Sequence, residues 1–420
     1  MTNIGIIAEF NPYHNGHAYL IREARRLVNA AADASDSGAD EAGSGVVVLM
    51  SGNFVQRGSA AVFDKYTRAR AALTDADIIF ELPTLWAASD AGHFAGCGVE
   101  LFNKMNCIDY LAFGIEAEPD TADSVISGLQ KASDILADEP SEFKEMLKEG
   151  LSSGQSYPAA RMKALLQLSD INQDTLSTSN NILALEYLTA IKKTGSRLKP
   201  IFIPRMGSDY NDAELTGEFS SATAIREAMN SGTRPDEYMP QEALSVIEKY
   251  LTHPVLTDEY LMPYIISALR TKSESELLTA SGINSDLLDR LEKAPVPCSF
   301  AELSDYMKTR NVTMTRIRRL LLSLALGIEQ TDLIQPGRIS SPEYINLLAM
   351  RRDASQIIKL IQDIGSVTVI NKKSSYRAED ALSDMSWKTD IRTTDIYNQM
   401  FYTCTGVCLP SELTSNIQII

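Results

Sequence analysis

Five short apolar runs separated by helical segments constrain this 420-residue chain more than any other feature. Runs of this length, bounded by turn residues, are typical of buried strands, and the segments between them have the periodicity of helices. Strands that alternate with helices form parallel sheets with right-handed crossovers. The runs cover residues 4–8, 45–52, 77–83, 108–114 and 198–204. We therefore predict an α/β fold with a Rossmann-like parallel sheet.

The pattern changes from about residue 234, where helical periodicity dominates the rest of the chain. A segment at 366–375 interrupts it with the composition of a strand. These features predict two parts: an α/β domain at 1–233, and a mainly α-helical region at 234–420 with a small mixed lobe. Residues 29–44 are small and acidic without periodicity, so we interpret them as a flexible insertion and assign them no function.

The motif His14-Asn15-Gly16-His17 lies where the first strand gives way to a helix. A helix N-terminus offers free N–H groups and the positive end of the helix dipole, which suits a phosphate. Gly16 allows close approach of the backbone, and two imidazoles can donate hydrogen bonds to oxygens that gain charge during a reaction. The alternative is a capped turn with two surface histidines. The preceding strand and turn favour the phosphate site.

A second candidate phosphate site lies far downstream in residues 219–226, FSSATAIR. Hydroxyl and N–H groups at a helix start, including those of Ser221, together with the Arg226 guanidinium one turn later would form an anion clamp. Taken alone, the segment is more typical of a capped helix with a solvated arginine. Its combination with the first motif favours phosphate binding.

These motifs resemble those of a known superfamily. The first is similar to the HxGH signature of nucleotidyltransferases, and the second to the segment with which they close over the β- and γ-phosphates of ATP. Five segments in order resemble the bacterial tRNA(Met) cytidine acetate ligases. They are EFNPYHNGH at 9–17 and the segments at 49–73, 77–83, 110–116 and 179–187. The resemblance is specific up to about residue 230 and weaker beyond it.

The resemblance implies a function. It implies an ATP-dependent ligase that forms acetyl-adenylate from acetate and ATP and then acetylates N4 of the wobble cytidine of elongator tRNA(Met). ATP would be a co-substrate with Mg²⁺ carried by its phosphates, and no protein metal site is expected. Residues 1–233 would form the catalytic domain, and 234–420 would contact tRNA. Two alternatives remain: a small-molecule adenylyl- or cytidylyltransferase, and a non-catalytic nucleotide- or RNA-binding protein.

The resemblance also implies site residues. His14 and His17 would stabilise charge on the α- and β-phosphates. Arg57 is a candidate catalytic residue because of its position on the loop after the second strand. Gly114 could instead be a strand-end turn glycine, and Asn180 and Asn181 could instead be a helix N-cap pair. The predicted ATP-binding residues are Ile7, Ala8, Glu9, Phe10, Asn11, Pro12, Tyr13, His14, Asn15, Gly16, His17, Leu20, Gly114, Asn180, Asn181, Arg205, Ser221 and Arg226.

The loop after the second strand supplies further candidates. Asn53 and Gln56 could orient acetate or cytidine beside Arg57. Lys65 could offset phosphate charge, and Asp64 or Glu81 could accept a proton from the cytidine amine. His93 is more typical of a helix cap than of a site residue.

Charge and composition limit the partners. A net charge of −16 is unusual for an RNA-binding protein, but residues 301–420 carry fourteen Lys and Arg against thirteen Asp and Glu. The basic cluster at 308–319 could contact a phosphate backbone or form a solvated helix face. The first residues lack the pattern of a signal peptide, no apolar run reaches membrane-spanning length, and the five cysteines are odd in number. We expect a cytoplasmic enzyme with reduced thiols.

Overall fold

The computed structural model describes residues 2–33, 44–169, 171–205, 219–331, 334–335 and 337–420. Most of the insertion predicted at 29–44 lies outside the described residues, and its first part, 29–33, continues a helix. None of the helices formed by the described residues is both long enough and apolar enough to cross a membrane.

One large sheet organises the fold. The strands are β1 (Asn3–Ala8), β2 (Gly45–Ser51), β3 (Phe54–Val55), β4 (Ser59–Ala60), β5 (Ile78–Leu82), β6 (Tyr110–Ile115), β7 (Lys199–Pro204), β8 (Tyr344–Met350), β9 (Thr368–Ile370) and β10 (Gln418–Ile419). The large sheet has the order β10-β8-β5-β2-β1-β6-β7, and β9 also pairs with β8. The five strands predicted from the apolar runs are β1, β2, β5, β6 and β7, and all neighbours among them are parallel. The predicted fold class is thereby confirmed.

Helices connect and cover the strands. They are α1 (Asn15–Asp33), α2 (Lys65–Ala72), α3 (Thr84–Ala87), α4 (Ala91–Met105), α5 (Ala122–Asp138), α6 (Ser141–Ser152), α7 (Tyr157–Leu168), α8 (Gln173–Ser177), α9 (Ser179–Lys193), α10 (Ala222–Asn230), α11 (Gln241–Ile247), α12 (Met262–Thr271), α13 (Glu274–Leu277), α14 (Ser285–Glu292), α15 (Phe300–Met307), α16 (Met314–Leu326), α17 (Ser355–Ile364) and α18 (Ala381–Thr405).

The order of the strands places a binding crevice. From β1 the chain moves through β2 to β5 on one side, and later strands β6 and β7 add to the other side. The strand order therefore reverses between β1 and β6. In parallel sheets, ligands bind beyond the carboxyl ends of the strands at such a reversal. The loop after β1, which carries the histidine motif, lies at this point.

The C-terminal strands correct one expectation. Strand β8 pairs with β5 in the antiparallel direction, and β9 and β10 pair with β8. The strand predicted at 366–375 is present as β9, but it extends the main sheet and does not belong to a lobe with its own sheet. Strand β8 was not predicted, since its partner β5 lies far away in the sequence. The division at residue 233 remains a prediction.

Both faces of the sheet are covered. Alternate residues of β1 point to opposite faces: Ile4 and Ile6 pack into one apolar cluster, whereas Ile7 packs into another. Strand β2 divides its valines in the same way, and all its residues are buried. A strand buried on both faces needs a continuous apolar sequence, which is the signal that revealed these strands.

Candidate active site

A cavity of about 1490 Å³ opens at the carboxyl ends of β1 and β6. It brings together residues that are widely separated in the sequence, from the loop after β1 to the start of α10. The predicted site residues that line it are Ile7, Ala8, Glu9, Phe10, Asn11, His14, Gly16, His17, Leu20, Arg57, Gly114, Asn180, Arg205 and Arg226. The sheet topology and the motifs therefore indicate the same place.

The hydrogen bonds of the two histidines define their donor atoms. The Gly16 N–H donates to His14 Nδ1 at 3.1 Å, and the His14 N–H donates to His17 Nδ1 at 3.3 Å. Because each Nδ1 accepts a bond, the proton of each neutral ring lies on Nε2. Neither Nε2 atom is bonded to another described residue, and both rings line the cavity. The site thus presents two free N–H donors.

Electrostatics keep both rings neutral. Burial lowers the pKa of His17 to about 3, and the nearby Arg205 charge adds to this effect. Burial also lowers the pKa of His14 well below its usual range, with contributions from His17, Arg205 and Arg226. Neutral N–H donors can stabilise negative charge without themselves giving up a proton.

Gly16 is required by the packing of the motif itself. A β-carbon at this position would lie 2.9 Å from His14 Cε1 and 3.1 Å from His14 Nδ1. Any side chain would displace the imidazole that the Gly16 N–H orients. We predicted that the glycine would admit a phosphate, and the structure gives it a second role in positioning His14.

Phe10 fixes the orientation of His17. Its φ of 47° lies in the left-handed region, which a bulky residue adopts only when its surroundings hold it there. Its buried ring packs edge-on against the ring of His17, with centroids 4.8 Å apart, and against Tyr13 at 5.0 Å. The centroids of the His14 and His17 rings are 3.8 Å apart. Strained backbone of this kind is often concentrated at functional sites.

The start of α10 brings a cation to the motif. Arg226 donates from Nη1 to the Asn11 carbonyl at 2.7 Å and from Nη2 to Thr223 Oγ1 at 3.0 Å. The Ser221 hydroxyl caps α10 by accepting the Ala224 N–H at 3.0 Å. Arg226 lines the cavity and Ser221 does not, so the cap positions the helix that carries the arginine.

A third group lies at the end of β6. Arg205 Nη1 is 3.4 Å from Glu116 Oε1, which also accepts a bond from Asn180 Nδ2 at 2.7 Å. A β-carbon on Gly114 would make only ordinary contacts, the nearest being 3.6 Å from Arg205 Cγ and from Leu20 Cδ1. Packing therefore does not demand a glycine here. Gly114 lies within β6 and lines the cavity, so the interpretation as a turn glycine does not hold.

Several predicted nucleotide-binding residues do not line the cavity. The buried Asn181 side chain bonds to the N–H and the carbonyl of Glu116 at 2.9 and 3.0 Å and so ties α9 to β6. The Tyr13 hydroxyl donates to Asp75 at 2.6 Å, and Asn15 donates to the Glu237 carbonyl at 3.1 Å. The full set is Pro12, Tyr13, Asn15, Asn181 and Ser221.

The loop after β2 divides into two parts. Arg57 lines the cavity and donates to Ser179 Oγ at 2.7 Å, and Gln56 lines it while its N–H donates to Glu9 Oε1 at 2.8 Å. Burial raises the pKa of Glu9. Asn53 is buried outside the cavity, where its side chain accepts the Lys65 N–H at 2.8 Å.

The roles suggested for three charged residues were wrong. Asp64 caps α2 through the N–H groups of Tyr66 and Thr67. Lys65 and Glu81 are fully buried away from the cavity. They belong to a group that we call the Lys65 network, in which Lys65 lies 2.6 Å from both Glu81 Oε1 and Glu412 Oε2. Asn346 joins the two carboxylates with bonds of 2.7 and 2.9 Å. Lys65 therefore cannot offset phosphate charge at the cavity, and Glu81 cannot accept a proton there.

One part of the cavity, which we call the far half, is lined by titratable residues that were not predicted to bind a ligand. Helices α4, α7, α9 and α16 contribute His93, Arg161, Glu186 and Arg319. The N-cap of α4 is Asp90 and not His93; the His93 ring bonds to Asp90 Oδ2 at 2.7 Å and to the Gln335 carbonyl at 3.1 Å. The spacing of Asn180, Leu183 and Glu186 on one face of α9 was a usable signal for Glu186.

Metal coordination has no candidate in the part of the chain that the structure describes. No group of three or more histidine, cysteine, aspartate or glutamate side chains is arranged there to hold an ion.

Comparison with known proteins agrees with this geometry. The model of the HIGH Nucleotidyl Transferase family matches residues 1–407. The tRNA(Met) cytidine acetate ligase of Acetivibrio thermocellus is 31% identical over 100% of both chains. The ligase of the same name from Caldanaerobacter subterraneus subsp. tengcongensis is 34% identical over 94% of this chain and 95% of its own.

Solved structures give the same result. Thermotoga maritima TmcAL without ligand superposes with a TM-score of 0.87, and the form bound to alpha-thio ATP superposes with 0.85. Each is 26% identical to this chain, and each match covers 100% of both chains. The chain therefore belongs to the HIGH nucleotidyl transferase family and, within it, to the tRNA(Met) cytidine acetate ligases.

Proposed function

We propose that this protein is an ATP-dependent ligase that activates acetate as acetyl-adenylate and transfers the acetyl group to N4 of the wobble cytidine of elongator tRNA(Met). The observation that carries the proposal is the pair of neutral Nε2–H donors of His14 and His17 at the reversal of strand order. The names of the relatives and the ATP analogue bound to Thermotoga maritima TmcAL support it.

In the first half-reaction, an acetate oxygen attacks the α-phosphorus of ATP. A new O–P bond forms, the bond to the β-phosphate oxygen breaks, and pyrophosphate leaves with the electron pair. His14 and His17 would donate hydrogen bonds to the oxygens that gain charge. Arg226 would hold the departing phosphates. Mg²⁺ would be carried mainly by the phosphates and water.

In the second half-reaction, the cytidine N4 amine attacks the acetyl carbon. A C–N bond forms, the bond to AMP breaks, and one amine proton leaves. The cavity volume exceeds the roughly 300–1,000 Å³ typical of small-molecule sites, which favours a site shared by a nucleotide and a second substrate. Residues 1–233 would form the catalytic domain, and 234–420 would contact the tRNA.

The basic cluster at 308–319 is not uniform. Arg318 forms an ion pair with Asp258 and lies over the Phe300 ring, so its charge is used within the protein. Arg316 and Arg319 line the cavity instead. These two arginines are the better candidates for contact with a tRNA phosphate.

The test is transfer of labelled acetate to bulk tRNA from a strain that lacks this modification, with ATP present and acetyl-CoA absent. We expect the label to be recovered as N4-acetylcytidine, and to be lost in the His17→Ala variant. Recovery of the label only as acetyl-adenylate would contradict the proposed tRNA acceptor but not the activation of acetate. Absence of label in both products would overturn the proposal.

A further inference from the structure

The far half of the cavity has features of a second substrate site. Along α9, Ser179, Asn180, Leu183, Glu186 and Tyr187 all line the cavity. This spacing places them on one face of the helix, with Glu186 about 9 Å along the axis from Asn180 at 1.5 Å per residue. The face therefore runs from the nucleotide end of the cavity into the far half.

Glu186 is a buried carboxylate with one oxygen uncommitted. Only 9% of its surface is exposed. Its Oε1 accepts a bond from Arg161 Nη1 at 2.6 Å, whereas no other described residue donates a hydrogen bond to Oε2. That oxygen lies beside the first turn of α4, 3.5 Å from where a β-carbon on Gly92 would be. Because Glu186 lines the cavity, this oxygen can accept a hydrogen bond from a ligand bound there.

The Arg319 side chain, which also lines the cavity, has unused hydrogen-bonding capacity as well. The Arg319 guanidinium lies near Asp90, and it makes no hydrogen bond to another residue in the described part of the chain. A β-carbon on Gly58 would lie 2.5 Å from the Arg319 backbone nitrogen, so the loop that carries Arg57 packs directly on α16. The far half of the cavity therefore joins the catalytic loop to helices that have free donor and acceptor atoms.

Cytosine has the chemistry that such a site can read. Its N4 amine is a donor, and a glutamate or aspartate is the acidic partner used to recognise that amine. The amine is also the nucleophile of the proposed transfer, and it must lose a proton as the C–N bond forms. A carboxylate within hydrogen-bond reach of this proton can act as its acceptor.

We infer that Glu186 is the residue that binds and deprotonates the acceptor amine. Its Oε2 accepts a hydrogen bond from N4–H of the cytidine and takes up that proton as N4 bonds to the acetyl carbon and AMP departs with the electrons of the broken C–O bond. Arg161 holds Oε1 and so aims Oε2. This assignment rests on the proposed function and adds to it the residue that selects an amine.

The experiment separates the two half-reactions in Glu186→Gln. Acetate activation is measured as acetate-dependent exchange of pyrophosphate into ATP, and as acetyl-hydroxamate formed when hydroxylamine discharges the adenylate. Transfer is measured in a single turnover to tRNA. We expect transfer to fall about 100-fold, because the amide can accept a hydrogen bond but not a proton, while both activation signals change less than about threefold.

Two matched variants exclude a purely structural effect. Arg161→Met breaks the same ion pair but keeps the carboxylate, and transfer should fall less than about tenfold. Glu186→Asp keeps a carboxylate on a shorter side chain, and it should transfer at least about tenfold faster than Glu186→Gln.

The outcomes distinguish the two proposals. Normal transfer by Glu186→Gln, or equal losses in Glu186→Gln and Arg161→Met, would overturn the role of Glu186 and leave the ligase proposal intact. Failure of the unmodified protein to give exchange or hydroxamate would instead overturn the proposed function, and this assignment with it.

Discussion

Two groups of buried titratable residues in this protein look alike in the sequence and differ in the structure. In the Lys65 network, each carboxylate oxygen of Glu81 and Glu412 is bonded to Lys65, to Asn346 or to a nearby hydroxyl. At the cavity, His14 Nε2, His17 Nε2 and Glu186 Oε2 have no bond to other described residues. Buried carboxylates whose oxygens are all bonded stabilise the fold, whereas unused bonding capacity beside a cavity is available to a ligand.

The Lys65 network should show the largest effect. Lys65→Met would leave two buried carboxylates without the cation that contacts both, and loss of one partner of a buried pair typically costs about 3–5 kcal/mol. We expect the free energy of unfolding in urea to fall by about this amount. Molecules that remain folded should keep most of their acetate-dependent pyrophosphate exchange. Normal stability with lost exchange would mean that Lys65 serves the reaction after all.

The histidine motif should show the opposite behaviour. In the proposed reaction, His17→Ala removes a hydrogen-bond donor to developing charge, a loss that typically costs about 10²–10³ in rate, or about 2.7–4 kcal/mol. Pyrophosphate exchange should fall by this factor while the urea midpoint changes little. The matched control is Tyr13→Phe, which lies in the same motif but bonds to Asp75. Tyr13→Phe should lower the free energy of unfolding and keep pyrophosphate exchange. A loss of exchange equal to that of His17→Ala would contradict a purely structural role for the Tyr13 hydroxyl.

The fold was predictable to the extent that its signals are local. The five central strands have continuous apolar sequences because both faces of the sheet are covered, and they were found. Strand β8 was missed although its residues are as apolar, because helical segments surround it and its partner β5 is remote in the sequence. Topology of this kind is decided by tertiary packing, which periodicity does not record.

The site was likewise predictable only to the extent that its signals are local in the sequence. The motif identified the backbone that meets the cavity, but not which side chains face it, so Tyr13 and Asn15 were included with His14 and His17. Lys65 was misread because its neutralising partner Glu412 comes almost at the end of the chain. Sequence position at the carboxyl edge of a sheet therefore locates a site without separating its functional charges from its structural ones.

Acidification should lower the free energy of unfolding through His17, because the fold holds this ring neutral. The pKa of His17 is lowered to about 3 by burial and by Arg205, whereas an unfolded histidine titrates near 6.5. Below pH 6.5 the unfolded state therefore binds a proton that the folded state does not, and the free energy of unfolding falls as the pH falls towards 3. For this one group the loss between pH 6.5 and 5 is at most about 2 kcal/mol.

The measurement is the urea stability of the unmodified protein and of His17→Ala at pH 7.5 and 5. The variant lacks the titrating ring, so it should lose less stability on acidification, and contributions from groups that do not interact with His17 cancel in the difference. Equal losses in the two proteins would mean that His17 is not held neutral by the fold.

The smallest effect concerns Ser221, which the sequence suggested as a nucleotide contact and the structure places at the cap of α10. Loss of an N-cap hydroxyl costs about 1 kcal/mol, so Ser221→Ala should lower the free energy of unfolding by that amount. Ser221→Asp keeps a capping oxygen and adds a negative charge near the helix N-terminus, where it is tolerated. The free energy of unfolding of Ser221→Asp should therefore be close to that of the unmodified protein.

ATP affinity in Ser221→Asp separates the two roles. If Ser221 only caps the helix that carries Arg226, ATP should bind the aspartate variant within about threefold of the unmodified protein, because a cap bond is preserved. If the hydroxyl contacts a phosphate, two negative charges would meet, and the affinity should fall by at least about tenfold. Arg226→Ala is the reference, since its guanidinium lines the cavity and its removal should weaken ATP binding in either case.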